Sequence, residues 1–377
     1  MTRNERGSTL VVVALATTGM LSMLALAVDV GMLFTARGEA QRVADAAALA
    51  GAASFIEAPD DGERARRTAV EFAAQNTVRN AAVALVPEDV EVNQALWQVE
   101  VTVRRTAARG NAIATWFARL FGVDEVDVAA RATAEAAPAG AGVCMKPFAV
   151  PDAWDDTNGN DRYDDGENYA IQETGYGTDF RNGQPDDKGN VYTNDFGRPI
   201  VLKEGTPQEA IVPSWYFPWD VPQTQGNGSG NGNPAVGADR YRWNIANCNM
   251  SLITLGTSYM VETGNMTGPT RQGVEGLIDD DPDARWDARA DSVVNSDYQP
   301  WKASPRVINL PLFDPTQPIE SGKNPIVFNN ITAFFLEGTQ GRDVIGRFLY
   351  ASGVGSGPGG AGAAGTGPQI KFVRLIE

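Results

Sequence analysis

The 377-residue chain contains no histidine and only two cysteines, Cys144 and Cys248. The first absence excludes Ser-His-Asp and Cys-His catalysis, HExxH metal sites and histidine proton shuttles. The second excludes a CxxC redox pair or a cysteine zinc site, because two cysteines so far apart supply neither spacing. Positive charge is also scarce. Lys and Arg number 31 against 47 Asp and Glu, for a net charge of −16. So acidic a chain does not suit nucleic acid, which is held by basic patches. It suits a solvated exterior. Two further absences are local: the first proline is Pro59, and residues 8–28 carry no charge.

Those local absences coincide. Residues 8–28 read STLVVVALATTGMLSMLALAV. As a helix this run is about 30 Å long, the thickness of a bilayer's hydrocarbon core. Asp29 closes it, and an alanine-rich segment follows to Ile56 without a break. The pattern predicts one continuous helix whose first half crosses a membrane and whose second half stands in water. A cleaved secretory signal and a buried core helix are the competing readings. The apolar run is longer than the usual core of such a signal. Arg3 and Arg6 precede the span, and Arg37 and Arg42 follow it. The short basic head favours an N-terminus inside, with the bulk of the chain exported. Beyond the span, alanines 44, 47, 48 and 52 with Leu49 repeat at helical spacing and make a face of small side chains. That face is expected to pack either on the protein's own sheet or in a filament. Asp45 lies within it and is expected to pair with Arg42 or an arginine of the next helix.

Several residues here carry a family resemblance. They are Arg6-Gly7, the step Val28-Asp29-Val30-Gly31, Gln41, and the stretch from Ala44 to Ala52 (ADAAALAGA). The segment resembles the N-terminus of TadE/TadG-like proteins of the Tad (Flp) pilus-assembly system, more loosely as far as Pro138. Trp116 to Gly122 (WFARLFG) is similar to an FxxxFG-like element of those proteins. The resemblance implies a non-enzymatic, single-pass component of the bacterial cytoplasmic membrane, minor pilin or pseudopilin-like, with its bulk extracytoplasmic. The implied partners are the lipid bilayer and other pilus-assembly or pilin subunits. Gly7, Asp29, Ala44, Asp45, Ala48 and Leu49 would form the anchor and assembly face. One departure is Val43, where the family usually has alanine. Another is Val12, five residues after Gly7, where prepilin peptidase sites favour glutamate; the anchor is therefore expected to stay whole. Larger TadG-like proteins carry a DxSxS metal motif, and this chain has none.

The predicted fold class is α+β. A long N-terminal transmembrane helix runs into a small pilin-like α+β unit, and a mostly β domain follows. The expected division is a head (1–7), a span (8–28), the pilin-like unit (29–138) and an exported β-rich domain (139–377). Within the unit the pattern predicts a helix over about 62–77. Strands are predicted around 90–92, 97–103 and 126–134, and a short helix over 111–121 with Gly122 beyond its end. AEAAPAGAG (134–142) reads as the linker. Past it no helix of three turns is expected. Residues 226–237 and 351–368 are glycine-rich loops, the second joining runs 344–350 and 369–376 into an expected hairpin. The GxGxxG within it lacks the strand–helix context of a dinucleotide site. Asp279 to Asp283 reads as a solvated turn. Trp215 to Trp219 reads as core or strand-edge packing, with a binding platform as the alternative.

One stretch carries chemistry. Residues 156–167 read DTNGNDRYDDGE. Counted as a twelve-residue calcium loop, Asp156, Asn158, Asn160, the carbonyl of Arg162, Asp164 and Glu167 occupy the ligand positions. Calcium prefers such oxygens, and its role here would be structural. Position six, normally glycine, is Asp161. No EF-type helices flank it, so it resembles the free-standing calcium loops of exported proteins. A plain Asx-turn loop is the alternative. Cys144 and Cys248 would form one disulfide in an oxidising compartment, or remain buried thiols otherwise. Two other functions stay open: a surface adhesin or carbohydrate- or protein-binding module on a pilin-like anchor, and a carboxylate-pair glycosidase, for which the sequence nominates no pair.

Overall fold

The computed structural model describes residues 6–170, 173–177, 195–223, 237–262, 264, 266–317, 319–320, 322–356 and 369–376. Most of the head 1–7 and of both glycine-rich loops lies outside the described residues.

Helix α1, Arg6–Glu57, runs unbroken for 52 residues, about 78 Å at helical rise. Its character changes at Asp29. Before it, Leu10, Leu15 and Met23 stand free of protein contact. After it, Ala36, Ala40, Ala44, Ala47, Ala48 and Ala52 are buried at helical spacing. They lie on strands Gln98–Arg105 and Val128–Gly142. The strand side answers with Val99, Val101 and Val103, also buried. Alternation in the strand and small residues in the helix let the two backbones approach closely. Helix α2, Gly62–Ala74, lies against α1. Asp61 caps it by accepting the Arg64 N–H. Gly51 marks the closest approach: a Cβ there would meet Val99 Cγ1 at 2.9 Å and Ala69 Cβ at 3.2 Å.

Val128–Gly142 is the centre of this first sheet, and here the expected linker is corrected. Residues 134–142 form strand, not a hinge. The strand pairs antiparallel with Gln98–Arg105 on one edge and with the late strand Ile370–Leu375 on the other. Alanine and glycine at 134–142 leave room for neighbours packed on both faces, so a stretch that reads as a linker is the most covered strand of the sheet. Short strands Ile253–Thr254 and Val354–Ser356 also join it. The chain after residue 139 therefore completes the sheet begun before it.

The second sheet closes on itself. Pro325–Gln340, Val307–Phe313, Phe148–Pro151, Trp215–Pro218, Pro199–Glu204 and Asp343–Leu349 follow one another, and the last pairs back with the first. Closure removes the edges that an open sheet must protect. It also corrects the expected hairpin between 344–350 and 369–376. Asp343–Leu349 already has a partner on each side, so Ile370–Leu375 pairs in the other sheet. Helices α3, Gly237–Ala246, and α4, Thr267–Asp279, pack together and cover part of the barrel. Leu310, Leu312, Phe148 and Phe348 form one apolar cluster with Tyr241, Ile245, Val274 and Leu277 from these helices. The thirteen residues of α4 correct the expectation of no three-turn helix. Its three glycines lower helix propensity, but Gly273 lets Ile245 Cβ approach within 2.9 Å of where a Cβ would stand.

Two smaller expectations resolve against the core. Tyr216, Phe217 and Trp219 are buried, so the aromatic run is packing. The acidic run 279–283 is not simply a solvated turn. Asp281 is fully buried and accepts from Ser296 Oγ at 2.7 Å, from the Asp297 N–H at 3.0 Å and from Ser304 Oγ. Desolvation works against its charge, yet these hydrogen bonds and the Arg306 guanidinium hold its carboxyl below the usual range.

Candidate functional site

The site begins where the apolar run ends. Asp29 is only 1% exposed although it follows a stretch with no charge. Its Oδ1 accepts the Trp116 N–H at 2.9 Å, and its Oδ2 accepts the N–H groups of Phe117 at 2.8 Å and Ala118 at 2.6 Å. Desolvation opposes the charge, and the three N–H donors outweigh it, so the pKa falls below the ordinary carboxylate value. These donors open the 3-10 turn Ala118–Phe121, which Gly122 ends at φ 83°. Asp29 thus does from a distant helix what an N-cap residue does locally. The turn is the tip of a hairpin whose base pairs Ile113 with Val126 and Ala114 with Glu125. Thr115 closes it, donating its hydroxyl to the Val123 carbonyl at 2.5 Å.

The helix expected over 111–121 is therefore a hairpin with one short turn. Ile113 and Ala114 are drawn into pairing with Val126 and Glu125 instead of continuing a helix from Asn111, and Gly122 stops the turn as expected. One local signal pointed to this contact: an acid placed immediately after the uncharged run.

The other expected anchor residues fall out along α1. Gly7 lies in its first turn. Ala44 and Ala48 are fully buried, and Leu49 packs beside them. Their face is covered by the chain's own sheet and is not free to receive a second subunit. Asp45 takes Gln41 Nε2 at 2.8 Å, not an arginine, and the same amide donates to the Arg131 carbonyl at 2.9 Å. Gln41 thus ties helix to sheet.

α1 is the one helix among the described residues that is long and apolar enough to cross a membrane, and the apolar window has nothing packed on it. Residues 7–54 match the model of the Tad family, the Flp pilus-assembly TadE/G-like proteins. No curated protein and no solved structure matches the chain. The Tad-like match coincides with α1 almost from end to end. It takes in both the unpacked half and the half seated on the sheet, with Asp29 between them.

Beyond the Tad-like helix, the loop 156–167 is folded around its own oxygens. Asp156 accepts the N–H groups of Gly159 at 2.8 Å, Asn160 at 3.2 Å and Asp161 at 2.8 Å. Asp164 accepts from the side-chain amides of Asn158 at 2.8 Å and Asn160 at 2.7 Å, and these amides lower its pKa. Glu167 takes the N–H groups of Thr157 at 3.1 Å and Asp164 at 3.0 Å. Asp161 occupies the sharp turn at φ 55°, a left-handed conformation aspartate tolerates better than most residues. The loop is pinned at its base by the bridge between Asp155 and Asn168, with no helix on either side among the described residues. The donors fit calcium in kind, being carboxylates and amides. Among the described residues no group of three or more His, Cys, Asp or Glu is placed to hold a metal, so the amides of Asn158 and Asn160 are required members of such a site.

Cys144 and Cys248 are joined, with Cα atoms 4.5 Å apart across a separation of 104 residues. The bond links the end of the central strand Val128–Gly142 to the segment after α3. Lys302 donates to the Ile56 carbonyl at 2.8 Å, at the C-terminal end of α1. Burial lowers its pKa to about 8. Trp97 stacks on Phe55 at 5.8 Å and meets Tyr350 edge-on at 5.0 Å. Helix end, first sheet and barrel strands thus meet at one joint.

Proposed function

We propose that the chain is a non-enzymatic, single-pass membrane component of a Tad/Flp-type pilus-assembly system, of minor pilin or pseudopilin kind, carrying its barrel on the extracytoplasmic side. The observation that carries this reading is α1. One unbroken helix has an apolar half with no protein against it and a small-residue half seated on a sheet, and residues 7–54 of it match the Tad family. Because the alanine face is already filled, contacts of a pilin kind with other subunits would use the unpacked half of α1. We assign loop 156–167 a structural role in which calcium is held by Asp156, Asn158, Asn160, the Arg162 carbonyl, Asp164 and Glu167. The ion supplies a positive centre; the chain's part is to order a polar loop beside the barrel strand Phe148–Pro151.

The test is protease treatment of spheroplasts carrying a protein tagged at both ends, with membrane fractionation and recovery of bound pilus-assembly proteins. The expected result is a full-length membrane-bound chain whose C-terminal tag is cut from outside and which co-purifies with pilus components. A chain found in the soluble cytoplasm, or normal piliation after its deletion, would refute the proposal.

A further inference from the structure

We infer that the hairpin tip at residues 116–123 inserts into the interfacial layer of the bilayer beside the exit of α1, as a second hydrophobic foothold; this rests on residues 8–28 spanning the membrane. Five large apolar residues fall within eight positions, and all are exposed. Trp116 is 63% exposed, Leu120 78% and Phe121 71%, with Phe117 and Val123 beside them. Exposed apolar residues scattered singly need no explanation, whereas a contiguous group marks an interaction surface.

The contacts along α1 fix where this surface lies. Asp29 holds the backbone of Trp116, Phe117 and Ala118. Twelve residues on, Gln41 holds Arg131. Further still, Phe55 stacks on Trp97. At helical rise these points lie about 18 Å and about 39 Å beyond Asp29. The domain therefore stands away from the membrane, and the tip is its foot. The apolar run ends one residue before Asp29, so the tip is held at the level where hydrocarbon gives way to headgroups.

The tip has the composition that layer selects. Tryptophan settles at membrane interfaces, and phenylalanine and leucine supply the apolar face of segments that lie there. Arg119 lies exposed between the apolar residues, where an arginine stem can run along apolar surface while its head reaches phosphate. Asp124 and Glu125 follow the tip, also exposed, on the side that returns to the sheet. The occupant is lipid because the tip is held where the apolar run of α1 ends, and it presents there the apolar and arginine side chains that the headgroup layer accommodates. The buried carboxylate of Asp29 is a positioning residue: it fixes the tip's orientation against the span.

The test uses the full chain in vesicles of phosphatidylcholine and phosphatidylglycerol. The native cysteines are joined, so a single introduced cysteine accepts one nitroxide label. Labels go at Leu15→Cys in the span, Leu120→Cys and Phe121→Cys at the tip, and Glu91→Cys on an exposed strand. Collision with oxygen and with a water-soluble nickel chelate is measured by electron paramagnetic resonance. The inference expects labels 15, 120 and 121 to collide with nickel several-fold less than label 91 and with oxygen more. If label 15 is shielded but labels 120 and 121 collide with nickel as label 91 does, the tip lies in water; the inference is overturned and the anchor stands. If labels 120 and 121 are shielded from both reagents, the tip is packed on protein, which also overturns it. If label 15 is open to nickel, the span reading fails and takes the inference with it.

Discussion

Asp152 gives the sharpest test of the energetics. It follows the barrel strand Phe148–Pro151 and is fully buried. Its Oδ1 accepts the N–H groups of Ala153 at 2.9 Å and Tyr176 at 2.8 Å, and its Oδ2 accepts the Tyr169 hydroxyl at 3.2 Å. Burial dominates these bonds and pushes its pKa up from 3.8 to about 7. Between those values the folded protein keeps a proton that the unfolded chain has released. Stability from this group is therefore fully present below pH 4 and is lost as pH rises to about 7. Each pH unit in that window removes about 1.4 kcal/mol. Over roughly three units the loss is about 4 kcal/mol. Asp152→Asn cannot titrate and keeps an oxygen for the two N–H donors. Urea unfolding of both proteins in detergent micelles, followed by tryptophan fluorescence from pH 4 to pH 8, measures the difference. Other titrating groups cancel in it. The wild type is expected to lose about 4 kcal/mol relative to the variant on going from pH 4 to pH 7.5. A difference that stays flat across the range would refute the reasoning.

Further perturbations test the packing and the sites. Gly51→Val, forced against Val99 and Ala69, is expected to destabilise by about 2 kcal/mol in thermal melts, whereas Gly38→Ala, with open space around it, should stabilise by up to about 1 kcal/mol. Asp29→Asn is expected to speed hydrogen exchange at the amides of 116–118 while leaving Val99 and Val101 protected; unchanged exchange would mean the carboxylate does not hold the turn. Chelation of calcium is expected to lower the melting temperature of the wild type and to leave Glu167→Ala unaffected; equal responses would remove calcium from the loop. Cys144→Ser is expected to lose about 4.7 kcal/mol, as for a closed loop of about one hundred residues, with a matching loss of the mobility shift between reducing and non-reducing gels.

What the sequence made legible follows from how local each feature is. The course of α1 could be read because an uncharged run and an alanine period both lie in one continuous stretch. The turn at 156–167 could be read because its side chains bond within twelve residues. Gly122 as a turn end and Trp215 to Trp219 as packing were equally local. The strand at 134–142 was hidden because alanine, glycine, Glu135 and Pro138 carry no strand signal; its conformation comes from partners such as Lys371 and Phe372. Barrel closure was hidden for the same reason, since Asp343–Leu349 is placed by Pro199–Glu204, far away in sequence. Asp281 looked solvated because nothing near it announces Ser296, Ser304 and Arg306 as its partners. The hold of Asp29 on residues 116–118 bridges almost ninety positions, and no periodicity reports such a bond.

The placement of Ile370–Leu375 has a consequence for how the protein is made. That strand lies beside Val128–Gly142, and Arg374 pairs with Glu135 there. Its partner strand leaves the ribosome long before it does. Until the late strand arrives, one edge of the central strand is bare beside an anchored helix, and unpaired edges invite degradation or misassembly. A polypeptide cut short anywhere in the barrel could not finish the sheet on which α1 rests. The edge of Val128–Gly142 facing Ile370–Leu375 is thus completed only by the last strand of the sheet to be synthesised.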